Sequence, residues 1–247
     1  MHFAHSEGFH KNLYFRHMAI TYNGFYKDSW GTHAIEVIND FRTLTTEIDG
    51  VVFTGSEFDD LSVDDKSKYT AEQLSRFTFL KTPIYQTYRF VETLCNCSIE
   101  VVMPQVVIDK LNNKEFSSDL TITTLLGSPR SEPGRGIDHE SVTLSLTITG
   151  ANYSGISSDF EGAFDGIYKQ IKNNYHFKNC YGCLYSDYSV YGQSTFGSML
   201  CFRNQKEAYS KVTTKAEYLK LGAPAGYVQE TYCCDEFEIR KGNVGYR

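Results

Sequence analysis

The sequence reads as an α+β protein that is mainly antiparallel β. A β-sandwich-like N-terminal part is followed by a smaller α+β segment that holds most of the cysteines. Two patterns predict this. Over residues 141–149, Val142, Leu144, Leu146 and Ile148 fall on one face and Ser or Thr on the other, which is the period of a strand with one side in a core. After Asn152 the period lengthens: Phe160, Phe164, Ile167 and Ile171 recur at helical spacing. The change places an antiparallel β domain over 1–157 and an α+β segment over 158–247.

The elements follow in chain order. Ile35, Val37, Leu44 and Ile48 belong to two partly alternating runs, separated by Asn39–Asp40 and closed by Asp49–Gly50, both good turn chemistry. Val51–Val52–Phe53 opens another strand that ends near Gly55. Glu57 to Asp65 is rich in Asp and Ser and reads as a loop. Phe77–Phe79, Tyr85–Val91, Ser98–Met103 and Leu120–Leu126 are further strand candidates. Between the last of these and Ser141 lies a Pro- and Gly-rich stretch, Gly127 to Gly136, which reads as a long exposed hairpin loop. Its Arg130 and Arg135 fit a solvated connector better than a basic functional loop.

Ser158 and Glu161 form a capping-box pattern ahead of the Phe160–Ile171 stripe. Gly162 and Gly166 weaken that helix by about 1 kcal/mol each relative to alanine where exposed. A second helix is expected from Asn204 to Leu221, with Ala208, Val212, Ala216 and Leu219 on one face, Gly222 after its end and Pro224 as a stop.

With 41% hydrophobic and 22% charged residues in 247, the chain is globular and long enough to bury a core without disulfide staples. Its 24 basic and 30 acidic residues leave a net charge of −6, so no nucleic-acid partner is expected. No apolar run approaches the roughly 20 residues of a membrane-spanning helix, and the first residues, broken by His2, His5, Glu7, His10 and Lys11, contain no signal-peptide core. No membrane association and a cytoplasmic location are therefore expected. The odd count of seven cysteines agrees with a reducing compartment.

The cysteines carry the one metal signal. Cys180-Tyr-Gly-Cys183 is a C-x2-C knuckle whose two thiolates can share a tetrahedral ion. Cys201, expected at the end of a strand just before the second helix, and the pair Cys233–Cys234, with Cys234 expected on a strand returning after that helix, follow, so five soft donors are available for the four that zinc requires. Structural zinc is the preferred reading. Buried free thiols and a redox pair are the competitors, the latter weakened because Asp187, Tyr188 and Gly192 suggest a loop or hairpin rather than a helix start. Cys95 and Cys97, two apart in a β-run, read as buried thiols.

The histidines assemble no catalytic motif. His2, His5, His10 and His17 lack the H-E-x-x-H spacing, and His139–Glu140 lacks the intervening residue of the zinc deaminases, as Asn179 lacks their proline before the knuckle.

Several strings are distinctive: Cys180-x2-Cys183-Leu-Tyr-Ser-Asp-Tyr-Ser-x-Tyr-Gly192, Phe196-Gly-x3-Cys201-Phe-Arg203, Gln229-Glu-Thr-Tyr232, Cys234-x-Glu-Phe-Glu238, Gly245-Tyr-Arg247, and near the other end Gly50-Val-x-Phe-x-Gly-Ser-x-Phe-Asp59. Together they resemble a bacterial family of unknown function of about this length. The resemblance brings no activity. It implies that Cys234 rather than Cys233 is the fourth ligand, so that the expected zinc set is Cys180, Cys183, Cys201 and Cys234.

Three function classes fit. The first is a non-enzymatic module that binds another protein, for example a cytoplasmic immunity-type protein that neutralises a toxin; 18 tyrosines and one tryptophan supply aromatic anchors. The second is a zinc-dependent hydrolase, which would need an open coordination position and a base such as Asp187 or Glu230. The third is a purely structural or regulatory component.

Overall fold

A computed structural model describes residues 19–83, 90–131, 136–192, 194–241 and 244–245. His2, His5, His10, His17, Arg135, Tyr246, Arg247 and most of the expected strand 85–91 lie outside them.

The strands are β1 (Ile20–Asp28), β2 (Gly31–Asn39), β3 (Leu44–Ile48), β4 (Val51–Gly55) and β5 (Ser62–Val63), then, after the short helix α1 (Ala71–Ser75), β6 (Thr78–Pro83), β7 (Phe90–Cys95), β8 (Cys97–Asp109), β9 (Glu115–Leu126), β10 (Glu140–Ile148) and β11 (Ala151–Ser157). Helix α2 (Phe160–Ile171) precedes β12 (Tyr175–Phe177). These strands form one antiparallel sheet in the order β11-β10-β9-β8-β1-β2-β3-β4-β5-β7-β6, with β12 added to β8. The mainly antiparallel β class is as expected.

Local chemistry sets the registers. Asp49 and Gly50 both take positive φ, 48° and 77°, and Ile48 pairs with Val51 across them: a two-residue primed turn. Thr149–Gly150 does the same between β10 and β11. On β10, Val142, Leu144, Leu146 and Ile148 are all buried, as their alternation predicts.

The sheet curls on itself. β7 and β8 are joined by Asn96 alone, at φ 55°, yet β5, β4, β3, β2 and β1 stand between them in the sheet order. Side chains from distant strands therefore meet inside. Phe77 packs edge-on to Phe53 of β4 at 4.9 Å and to Tyr26 of β1 at 6.2 Å. Cys95 and Cys97 line this interior, and burial pushes their thiols up to about 11 and about 12. They are buried free thiols, as expected.

Helix α2 packs on β11 and β10. Phe160, Phe164, Ile167 and Ile171 are buried as the spacing predicts. Its cap differs from the expected Ser158: the Asp159 carboxylate accepts from the Gly162 N–H at 2.7 Å.

The rest of the chain builds a small sheet of β13 (Ser186–Asp187), β14 (Met199–Cys201) and β15 (Gly226–Val228). The expected continuous helix 204–221 is instead two single turns, α3 (Lys206–Tyr209) and α4 (Lys215–Tyr218). Thr214 starts α4 with a capping box to Glu217, and a residue capping a new helix cannot continue the old one. The buried face is Tyr209, Val212 and Tyr218, while Ala208, Ala216 and Leu219 are exposed. Phe202 stacks on Tyr209 at 5.0 Å and meets the edge of Tyr218 at 5.3 Å.

Among the described residues, no helix is long and apolar enough to cross a membrane.

Candidate metal centre

The knuckle is anchored from several sides. The Asn179 carboxamide donates to Gln105 at 2.8 Å and accepts from the Gly182 N–H at 3.1 Å, so the buried Asn179 ties the turn to β8. Gly182 packs so tightly that a Cβ there would lie 2.1 Å from the Phe177 carbonyl oxygen, which excludes a larger residue without backbone movement. The Cys180 N–H donates to the Tyr232 carbonyl at 2.6 Å, and Cys183 bridges to Ile239. The segment carrying Cys233 and Cys234 is thereby held against the knuckle.

Cys201 ends β14, where it pairs with Ser186 and Gly226. This is the position expected for it, at the end of a strand. Cys234 was expected on a returning strand and instead lies in an irregular segment after β15. Cys180, Cys183 and Cys201 are buried, Cys234 is half-buried and Cys233 is exposed.

Cys180, Cys183, Cys201 and Cys234 lie in one neighbourhood, with Cys233 beside them. Cys180 lies within electrostatic reach of Cys183, Cys201, Cys234 and also Cys233, and Cys201 within reach of Cys183 and Cys234. Burial holds the Cys180, Cys183 and Cys201 thiols above their ordinary range, and each nearby thiolate adds to the effect. Arg203 supplies the opposing charge, lying beside Cys201 and donating a hydrogen bond to Cys234. Its role was not marked by any spacing, although it directly follows the Cys201–Phe202 pair. All of these cysteines are free thiols. Among the described residues, no three His, Cys, Asp or Glu side chains are set as a group that could hold a metal ion, so a shared ion would require the sulfurs to draw together.

The two carboxylates considered as hydrolytic bases serve the packing. Asp187 and Glu230 are fully buried. Asp187 accepts from the Tyr188 N–H at 3.0 Å and from the Tyr209 hydroxyl at 2.8 Å. Glu230 accepts from the Tyr188 hydroxyl at 3.0 Å and the Gly197 N–H at 2.8 Å. With both oxygens of each group engaged, these are buried acceptors satisfied by the fold.

Residues 20–186 match a family described as a family of unknown function (DUF6304), in agreement with the resemblance drawn from the motifs. The match includes Cys180 and Cys183 and ends before Cys201 and Cys234. No curated protein and no solved structure matches the chain.

Proposed function

The chain belongs to DUF6304, a family of unknown function, and from that premise we propose that it is a non-enzymatic module that binds another protein and is stiffened by a structural zinc ion on Cys180, Cys183, Cys201 and Cys234. The carrying observation is that these four thiols, from three separate stretches of chain, share one largely buried neighbourhood with the exposed Cys233 at its edge. Four thiolates closing a tetrahedral site leave no open position for a substrate, so the metal's role is to hold the fold. The engagement of Asp187 and Glu230 within the packing favours this over the hydrolase.

Surface aromatics supply the binding face. Trp30, at the tip of the β1–β2 hairpin, is 72% exposed, and Phe25 of β1 is 49% exposed. Large aromatic side chains of this kind are over-represented among residues that anchor protein interfaces. A cytoplasmic immunity-type role, in which an acidic surface meets a basic toxin, fits the net charge of −6.

The test is co-purification of the full chain from native cells, followed by a binding titration with the recovered partner. Trp30→Ala is expected to weaken that binding by roughly tenfold or more while leaving the thermal transition in place. Turnover of a small substrate by the purified chain, abolished by chelation, would favour the hydrolase instead.

A further inference from the structure

A cavity of about 410 Å³ opens beside β7 and β9 and shares none of its lining residues with the cysteine cluster. Its floor is hydrocarbon: Leu94 and Leu126 are both almost fully buried, with Leu80 and Ile137 beside them. Asp59 comes from the loop after β4, and Glu140 is the first residue of β10.

The other charged groups of the wall hold the loop after β9. The Asp138 carboxylate accepts from the Ser128 N–H at 2.8 Å, and Arg130 Nε donates to the Ile137 carbonyl at 3.0 Å. Among the described residues, Asp59 and Glu140 have no such bond to a cation. Among the described residues, the groups acting on Asp59 are its own backbone, Glu57 and Asp60, and the charged neighbour acting on Glu140 is Asp59. Glu57 is hydrogen-bonded to Asp59 and to Thr195. Burial first holds the carboxyls of Glu57, Asp59 and Glu140 above their ordinary range; the charge of Asp59 adds to this for Glu57 and Glu140 and that of Asp60 for Glu57 and Asp59, while the hydrogen bond from Glu57 draws Asp59 down. Among the described residues they belong to no group of three that could hold a metal ion. The volume falls within the range of small-molecule sites, which combine an apolar lining with a few convergent polar groups.

We propose that this cavity binds an organic cation, an alkylammonium or alkylguanidinium whose stem lies on Leu94 and Leu126 and whose head group sits between Asp59 and Glu140. The head group brings a positive charge to the two carboxylates, in a site where partial burial strengthens the attraction. The apolar stem gains by leaving water. The same chemistry belongs to a free small amine and to the lysine or arginine side chain of another protein. The inference does not depend on the zinc site.

Calorimetric titration of the full chain with n-butylguanidinium tests it, with neutral n-butylurea as the control of matched shape. Saturable one-to-one binding of the guanidinium is expected, with little binding of the urea. Asp59→Asn and Glu140→Gln, which keep side-chain volume, are each expected to weaken it by roughly tenfold or more. In the unsubstituted chain, the methyl resonances of Leu94 and Leu126 should shift during the titration. Absence of saturable binding, equal binding of the urea, or unmoved Leu94 and Leu126 methyls would overturn the proposal. A capped Gly-Arg-Gly peptide run in parallel identifies the source. Binding as tight as that of n-butylguanidinium assigns the site to a partner's side chain, and absence of peptide binding beside a bound guanidinium assigns it to a free small cation.

Discussion

Asn39 and Gln229, 190 residues apart, exchange two buried side-chain hydrogen bonds: Asn39 Nδ2 donates to Gln229 Oε1 at 2.7 Å, and Gln229 Nε2 donates to Asn39 Oδ1 at 3.0 Å. The pair joins the end of β2 to the segment that runs from β15 toward Cys234. Asn39 Oδ1 also accepts from the Phe41 N–H at 2.8 Å, so the same amide shapes the turn after β2. This reciprocal contact, with the Asn179–Gln105 bond, fastens the cysteine-bearing stretch to the large sheet.

Gln229→Ala leaves the Asn39 amide buried without its partner, at a cost of about 1–3 kcal/mol. Asn39→Ala should cost more, because it also removes the acceptor of the Phe41 N–H. The double substitution should cost less than the sum of the two. Urea denaturation of the three variants checks this, and strict additivity would mean that the pair is not coupled.

Gly155 of β11 and Gly166 of α2 let helix and strand backbones touch. A Cβ on Gly155 would lie 1.9 Å from the Ala163 carbonyl oxygen, and one on Gly166 would lie 2.7 Å from the Gly155 Cα. On propensity alone Gly166→Ala should strengthen the helix by about 1 kcal/mol. The contact reverses the sign, and we expect Gly155→Ala and Gly166→Ala each to destabilise by about 1–3 kcal/mol. A stabilised Gly166→Ala variant in chemical denaturation would contradict this packing.

Glu57 gives stability a pH dependence. Its carboxyl is pushed up to about 8 by burial first, then by the charge of Asp59, from an ordinary value near 4.5. Between those values the folded chain holds a proton that the unfolded chain has released, so stability falls as pH rises through that window. Glu57→Gln removes the titration. It should flatten the decline of Tm between pH 5 and pH 8 and raise Tm at pH 8 by roughly 2–4 °C. Parallel Tm–pH curves for the two proteins would refute the assignment.

Much of the sheet was legible because its strands have one wet face. β10 alternates without interruption, and Asp49–Gly50 has the chemistry of a two-residue turn. β1 was less visible: its inward residues are Tyr22, Gly24 and Tyr26, while Phe25 points to solvent at 49% exposure, so hydropathy does not alternate along it. The break between α3 and α4 had a signal, the Thr214-x-x-Glu217 box, which the apolar spacing across 204–221 masked. At the cysteine cluster the knuckle and the end-of-strand position of Cys201 follow from spacing, but the support from Asn179, Arg203 and Tyr232 is tertiary. The cavity had no sequence signature. Asp59 and Glu140 are far apart in the chain, and only the curl of the sheet sets them on one wall.

The zinc-stiffened module is tested most directly by elemental analysis of the full chain purified without chelators, beside Cys183→Ser. We expect about one zinc per chain, lost in the variant together with the fold around Phe202, Tyr209 and Tyr218, because metal binding in such a site is coupled to folding. Absence of zinc from the unsubstituted chain, with a Tm unchanged by added zinc or by chelator, would contradict the claim and leave these cysteines as buried thiols.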